Sequence, residues 1–112
     1  MELPNRFEAF IPPQKLVGYL LSSTHAVGKG KAKFFRHFGF NELHADWLND
    51  ELLIVAHTAT PIRTTTTPFG TKYVIDGTID TPDGIMINVR TVWIIEEGEP
   101  RPRFVTAYPN SR

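Results

Sequence analysis

The apolar residues change their spacing near the middle of the chain. Between residues 13 and 57 they recur every three to four positions, as in a helix with one buried face. From residue 71 to residue 109 they alternate with polar residues, as in a strand with one buried face. The pattern therefore predicts helices in the first half of the chain and strands in the second.

Three helices are predicted in the first half, after a lead-in segment of residues 1–12. The first begins at Pro12-Pro13 and ends at Ser22, since proline in the first turn of a helix sacrifices no hydrogen bond. The second covers residues 28–38 and ends at Gly39, a typical residue after a helix end. The third runs from about Leu43 into residue 54. Its inward-facing side chains are predicted to be Trp47, Leu48, Leu52 and Val55.

Three strands are predicted in the second half, over residues 72–80, 85–95 and 103–108. Short turns join them, so they should pair as an antiparallel meander. The four threonines of residues 64–67 favour a further edge strand. We therefore predict an α+β fold with N-terminal helices packed on a C-terminal three- to four-stranded antiparallel β-meander. One domain is expected over residues 1–112, with a helical half (13–57) and a sheet (71–109).

The composition limits the cellular location and the chemistry. Hydrophobic residues make up 41% of the chain and charged residues 21%, as in ordinary globular proteins. The chain has no cysteine, which excludes disulfides and thiolate metal sites. The N-terminus does not resemble a signal peptide, and the longest aliphatic run, residues 52–56, is far too short to span a membrane. We predict a cytoplasmic protein without membrane contact and without a cofactor.

The charged residues are unevenly distributed, although the net charge is zero. No acidic residue occurs between residues 22 and 40, a segment that contains Lys29, Lys31, Lys33 and Arg36. The chain is basic again after residue 99, with Arg101, Arg103 and Arg112. These two basic segments could meet in the fold and form a local anion site. The alternative interpretation is that they are solvated surfaces.

His25 stands just before a glycine that is expected to open the second helix, and Lys29 and Lys31 follow in its first turn. Free N–H groups at a helix N-terminus suit a phosphate, whereas lysines there oppose the helix dipole unless an anion binds. Gly28-Lys29-Gly30-Lys31 is not a nucleotide-binding P-loop, which requires a preceding strand and a hydroxyl residue after the lysine. The four histidines are not paired, and no metal site is predicted.

Histidine, lysine, arginine and hydroxyl groups are sufficient to cleave RNA without a metal. The 2′-hydroxyl is the nucleophile, so the enzyme has only to move protons and stabilise negative charge. Strict alternation in the last strand places Thr106 and Tyr108 on one side, opposite Arg103. Thr91 and Trp93 would join them if the register allows, and Tyr108 or Trp93 could then stack on a base.

Several motifs resemble those of an uncharacterised bacterial domain family found as small proteins and as C-terminal modules of polymorphic toxins. They are Leu21-Ser22 with His25 and Gly28-Lys29, then Phe69-Gly70-Thr71-Lys72-Tyr73, Val89-Arg90-Thr91-Val92-Trp93 and Arg103-Phe104-Val105-Thr106-Ala107-Tyr108-Pro109. The chain departs from that family at Ala26, where proline is common, and at Gly30, where serine is common. The layout is also similar to the barnase–EndoU–colicin–RelE superfamily of metal-independent ribonucleases.

This resemblance implies a role for each candidate residue. His25 would be the general acid or base, Lys29 or Lys31 would stabilise the phosphate, and Arg90, Thr106 and Tyr108 would contribute from the sheet. The expected function is a metal-independent endoribonuclease toxin. Its RNA-contacting residues would be Lys31, Lys33, Arg36, Trp93 and Arg103.

A second function from a different class stays open. The chain could instead be a non-catalytic module that binds protein or nucleic acid, including the antidote of a toxin–antitoxin system. The expected partners are RNA and an antitoxin or immunity protein. A second copy of the chain could also pair through an exposed edge strand.

Overall fold

A computed structural model describes residues 1–22, 24 and 29–110. Its helical half contains 3₁₀ turns at Arg6–Glu8, Pro13–Lys15 and Glu42–His44, a π-helix at Leu16–Leu20, and helices α1 (Lys29–His37) and α2 (Ala45–Thr58). The strands are β1 (Arg63–Thr67), β2 (Gly70–Asp80), β3 (Met86–Glu96) and β4 (Arg103–Pro109). They form one antiparallel sheet in the order β1-β2-β3-β4. The predicted α+β fold with a C-terminal meander is confirmed, and the threonine run provides its fourth strand.

The first predicted helix is not an α-helix. A 3₁₀ turn leads into the π-helix, in which the Leu21 N–H donates to the Leu16 carbonyl at 2.8 Å. This i→i+5 bond makes a wider turn than an α-helix and stacks residue 21 above residue 16. As a result Leu16, Leu20 and Leu21 are all buried.

Helix α1 ends at Gly39, as the sequence predicted. Gly39 has a φ of 96°, and its N–H donates to the Arg36 carbonyl at 3.0 Å. The Phe40 N–H donates to the Phe35 carbonyl at 3.2 Å, which completes a Schellman motif. The rings of Phe35 and Phe40 pack edge to face beneath this turn.

Helix α2 buries Leu48, Leu52 and Val55 against the sheet, as predicted. Trp47 was predicted to face inward as well, and that prediction is wrong because its side chain is 42% exposed. Position 47 lies beside the row of buried residues formed by Leu48, Leu52 and Val55. The Trp47 indole N–H donates to the Asp80 carbonyl at 3.1 Å. None of the described helices is long and apolar enough to cross a membrane.

The strand register divides the sheet into two faces. The face covered by the helices carries the buried side chains of Ile75, Ile79, Val89, Thr91, Trp93, Phe104 and Ala107. Directly paired residues share a face, so Asp76, Arg90 and Tyr108, which pair across β2, β3 and β4, lie together on the other one. We call this the second face.

A β-bulge in β4 changes the alternation that the sequence predicted. Val92 pairs with Thr106 and Trp93 with Phe104, which leaves Val105 as the extra residue of β4. Arg103 is thereby brought onto the second face with Thr106 and Tyr108, because its partner there is Ile94. Thr91 and Trp93 lie on the helix-covered face, so the register does not bring them beside Thr106 and Tyr108.

Candidate functional site

Arg90 lies at the centre of the second face, between Asp76 and Tyr108. Its Nε donates to Asp76 Oδ1 at 2.7 Å and its Nη2 to Asp76 Oδ2 at 2.9 Å. These hydrogen bonds, with a smaller electrostatic contribution from Tyr108, raise the pKa of Arg90 above its ordinary value. The bidentate pair uses two of the five guanidinium donors and orients the others. Arg90 is therefore a fixed cation on this face.

Tyr19 of the π-helix connects the helical half with β4. Its hydroxyl lies 2.9 Å from Thr106 Oγ1, and either oxygen can be the donor. The Lys15 ammonium lies 4.7 Å from the centre of the Tyr19 ring, and the Lys31 ammonium lies 5.8 Å from it. We call Lys15, Tyr19, Lys31 and Thr106 the Tyr19 cluster. The cluster brings together the 3₁₀ turn Pro13–Lys15, the π-helix, the first turn of α1 and strand β4.

The two lysines of the Tyr19 cluster both approach the same ring. In the described part of the chain every ion pair involves an arginine, and none involves a lysine. Each contact with the ring is worth about 0.5–1 kcal/mol at an exposed site, and the two like charges repel. A bound anion would remove this repulsion. Two ammonium groups beside two hydroxyls suit a phosphate.

His25 lies outside the described residues, and so does the side chain of Lys29. The backbone of Lys29 is described and begins α1. Lys31, two positions later, contacts the Tyr19 ring. The first turn of α1 therefore lies beside the Tyr19 cluster, while the roles of His25 and Lys29 stay predictions.

Arg36 holds the helical half together. Its Nε and Nη2 donate to the Leu21 carbonyl at 3.0 and 2.6 Å, and Nη2 also contacts Glu42 Oε2 at 2.5 Å. The hydrogen bond from Arg36 lowers the pKa of Glu42 below its ordinary value. An RNA ligand would have to compete with these contacts for the guanidinium.

The other predicted RNA-contacting residues differ in exposure. Lys33 is exposed on α1, and Arg103 is partly exposed, with its Nε donating to Glu96 Oε1 at 3.0 Å. Trp93 has no exposed surface, and its indole N–H donates to Thr91 Oγ1 at 2.8 Å. Its ring packs edge to face on Phe104 in the core. Trp93 would have to leave the core to stack on a base, so we leave it out of the proposed interface.

Sequence reasoning missed Lys15, Tyr19 and Asp76 as members of the site. Tyr19 falls within the first predicted helix, and its partly buried side chain packs against the core. Its hydroxyl reaches Thr106, 87 residues away, a contact that local patterns do not encode. Among residues 1–22, 24 and 29–110, no three histidine, aspartate or glutamate side chains form a group that could hold a metal.

The chain belongs to DUF6883, a family of domains of unknown function, whose model matches residues 2–111. This confirms the prediction of an uncharacterised domain family. No curated protein matches the chain.

The fold is shared with a solved structure. A chain of the contact-dependent growth inhibition toxin–immunity protein complex from Klebsiella pneumoniae 342 superimposes with a TM-score of 0.73. The match covers 91% of this chain and 100% of that one at 14% sequence identity. At this identity the likeness establishes the fold alone.

Proposed function

We propose that this DUF6883 domain is a metal-independent endoribonuclease and acts as the toxin of a toxin–immunity system. The observation that carries the proposal is the Tyr19 cluster, in which two lysines, neither ion-paired with a described residue, lie beside two hydroxyls at the start of α1. The likeness to a chain of a growth-inhibition toxin–immunity complex supports the toxin context. An immunity protein is then the expected protein partner, and RNA is the expected substrate.

The reaction is the attack of a ribose 2′-hydroxyl on the adjacent phosphorus atom. His25 takes the proton from the 2′-oxygen or gives one to the departing 5′-oxygen. The bond between phosphorus and the 5′-oxygen breaks, leaving a 2′,3′-cyclic phosphate and a 5′-hydroxyl. Atoms and charge balance without a cofactor, because the proton lost by one oxygen is matched by the proton gained by the other.

Cations and hydroxyls of the chain stabilise the charge that develops on the phosphate. In this proposal Lys15, Lys31 and Lys29 provide the positive charge near α1, and Arg90 provides it from the sheet. The hydroxyl of Tyr108 donates to the phosphate oxygens, and so does whichever of the Tyr19 and Thr106 hydroxyls accepts in the hydrogen bond between them. Arg90, Thr106 and Tyr108 share the second face, which supports their joint action on one phosphate.

The test is incubation of the purified protein with total bacterial RNA in excess EDTA. We expect discrete fragments with cyclic-phosphate ends. His25→Ala should lower the rate by about 10²–10⁴-fold, as expected for loss of a general acid or base. The matched control is His37→Ala, because His37 is exposed at the end of α1. Its activity should be unchanged.

A second pair of variants tests the Tyr19 cluster itself. Tyr19→Phe removes only the hydroxyl that contacts Thr106 and should slow cleavage about tenfold, the effect of one lost hydrogen bond. Tyr73→Phe removes a hydroxyl from the helix-covered side of β2 and should have no effect on cleavage. Intact RNA with the folded wild-type protein, or equal activity of Tyr19→Phe and Tyr73→Phe, would contradict the proposal.

A binding module is the second candidate function. It is favoured by the arginines, since Arg90 is paired with Asp76, and Arg36 with Glu42 and the Leu21 carbonyl. A module of this kind would bind RNA or a toxin without cleaving it. The salt dependence of the affinity distinguishes RNA from a toxin as the ligand, because phosphate binding weakens steeply with salt. Lys31→Ala should reduce the slope of log RNA affinity against log salt concentration by about 1 if Lys31 contacts a phosphate.

A further inference from the structure

The outer edge of β2 is covered along only part of its length. Strand β1 pairs with β2 from Gly70 to Val74, whereas β2 continues to Asp80. Val74 points its backbone groups toward this edge, because its carbonyl accepts from the Ile62 N–H at 2.8 Å. Every second residue of a strand points the same way. The N–H and carbonyl of Thr78 therefore face outward. We call residues 75–80 the open edge.

Side chains of α2 already pair with the end of the open edge. The Asp80 N–H donates to Glu51 Oε1 at 2.6 Å, and the Asp80 carbonyl accepts from the Trp47 indole at 3.1 Å. These are the contacts that a neighbouring strand would make. The backbone N–H and carbonyl of Thr78 have no outward hydrogen-bond partner in the part of the chain that the structure describes. The open edge thus offers an unused position for pairing with another strand.

A hollow lies on each side of the open edge, and Gly77 and Thr78 line both. The first encloses about 420 Å³ between α2 and β2, and its apolar lining includes Ile54, Val55, Ala59 and Met86. The second is a shallow, open depression on the second face and is lined by polar residues, Asp76, Asn88 and Asn110 among them. Successive side chains of a strand point to opposite sides. An added strand would place one set in the apolar hollow and the other in the polar hollow.

The apolar hollow is acidic at its rim. Its two ionisable residues are Glu51 and Asp80, and none of the described residues that line it is basic. Ile54 and Met86 are 50% and 61% exposed there, so apolar surface faces solvent beside the carboxylates. The alternation of β2 also directs Asp76 and Asp80 to the second face. A segment whose apolar side chains enter the apolar hollow and whose basic side chains lie toward the second face therefore complements the apolar surface on one side and the carboxylates on the other.

A second copy of this chain fits the open edge less well. Antiparallel pairing of two copies about Thr78 would place Asp80 opposite Asp76 of the other copy, twice by symmetry. Like charges directly opposite each other destabilise a strand pair.

We propose that the open edge of β2 is the docking site for an extended basic segment of a partner protein, which adds to the sheet as a further strand. Main-chain hydrogen bonds to Thr78 supply affinity, and the two hollows select the alternating side chains. The inference does not depend on the proposed nuclease activity, because the Tyr19 cluster lies at β4, two strands away.

The test uses a short capped peptide of alternating lysine and valine as the probe. We expect its addition to shift the amide signals of residues 76–80 and the methyl signals of Ile54 and Met86 in NMR spectra. Exchange of the Thr78 amide with solvent should slow, because the peptide gives this N–H an acceptor. A peptide of alternating glutamate and valine should not bind, since the rim is acidic.

Two proline variants provide the matched comparison. Thr78→Pro removes an outward N–H that no strand of the sheet uses, and proline is tolerated at such edge positions. It should weaken peptide binding about tenfold. Thr66→Pro is the control, since the alternation of β1 also points its N–H away from β2. Ile54→Lys, on the exposed side of α2, keeps the backbone intact and should weaken binding by charge repulsion.

The opposite results would overturn the proposal. Equal binding of the acidic peptide would show that the rim does not select basic segments. Loss of binding in Thr66→Pro with full binding in Thr78→Pro would place the site on β1. A dimer in light scattering that Thr78→Pro dissociates would show that a second copy occupies the edge. No perturbation of Thr78 in the folded wild type would exclude strand addition.

Discussion

The two edges of the sheet are completed in different ways. At β4 the N-terminal segment lies alongside, where the Phe10 N–H donates to the Pro102 carbonyl and the Phe104 N–H donates to the Phe10 carbonyl, both at 3.0 Å. Tyr19 then reaches Thr106 on the same strand. At β2 the pairing with β1 stops at Val74, and farther along the Asp80 backbone bonds to the side chains of Trp47 and Glu51 of α2.

This difference separates two kinds of surface on one small sheet. The covered edge gathers lysines and hydroxyls from four elements, since Tyr19 contacts Thr106 of β4 through its hydroxyl and Lys15 and Lys31 through its ring. The open edge keeps an unused backbone pairing position beside apolar and acidic side chains. An exposed edge invites pairing with other chains unless it is covered or charged. The comparison suggests phosphate chemistry at one edge and protein binding at the other.

The largest expected effect tests how much packing each edge contributes to stability. Phe104 of β4 is fully buried, whereas Phe69, in the turn between β1 and β2, is 75% exposed. Phe104→Ala should lower the free energy of unfolding by about 3–5 kcal/mol, and Phe69→Ala by less than about 0.5 kcal/mol. Urea denaturation measures both. Similar losses in the two variants would remove the distinction between the edges.

A smaller effect is expected where α2 approaches the open edge. A Cβ atom at Gly77 would lie 2.8 and 2.9 Å from the two Cγ atoms of Val55, closer than carbon atoms pack. Gly77→Ala should therefore destabilise the protein by about 1–3 kcal/mol. Gly30→Ala, where no atom lies within 4 Å of the added Cβ, should instead stabilise α1 by up to about 1 kcal/mol. Thermal unfolding of both variants should show shifts of opposite sign.

The smallest effect concerns the charged contact that joins Arg36 to Glu42. Its hydrogen bond lowers the pKa of Glu42 below the usual 4.5, so the unfolded state binds the proton more readily. The resulting stability is fully present above pH 4.5 and is lost as the pH falls through the lower folded pKa. Glu42→Gln should therefore flatten the acid limb of stability against pH, measured by urea denaturation between pH 2 and 7.

Glu97→Gln is the control for this measurement, because Glu97 is exposed and forms no ion pair among the described residues. Its acid limb should match that of the wild type. An identical acid limb in Glu42→Gln would mean that solvent screens the contact with Arg36 completely.

The local features of the fold were predictable from sequence. The strand alternation, the turn at residues 81–84 and the helix end at Gly39 each depend on a few neighbouring residues. The predictions that were wrong depend on partners distant in sequence. Trp47 turns outward because it finds the Asp80 carbonyl, 33 residues away. Residues 16–20 form a π-helix whose two leucines pack into the core, together with Leu21 just after it.

The candidate site was predictable only in part, for the same reason. Arg90, Thr106 and Tyr108 were singled out by residue type, and they do share one face. Trp93 was singled out by its aromatic ring, but its neighbours on β2 and β4 enclose it. Lys15 and Tyr19 carried no signal, since their significance arises only when the π-helix lies beside β4.

By itself the sequence determined the α+β class, the order of helices and strands, and the basic segment at the start of α1, because periodicity, turn residues and charge are local properties. The tertiary structure alone decided the bulge at Val105, which brings Arg103 onto the second face, and the point at which β1 leaves β2 uncovered. It also decided which cations remain unpaired. Strand register and side-chain partnership follow from packing segments distant in sequence around one core, and no local pattern encodes that packing.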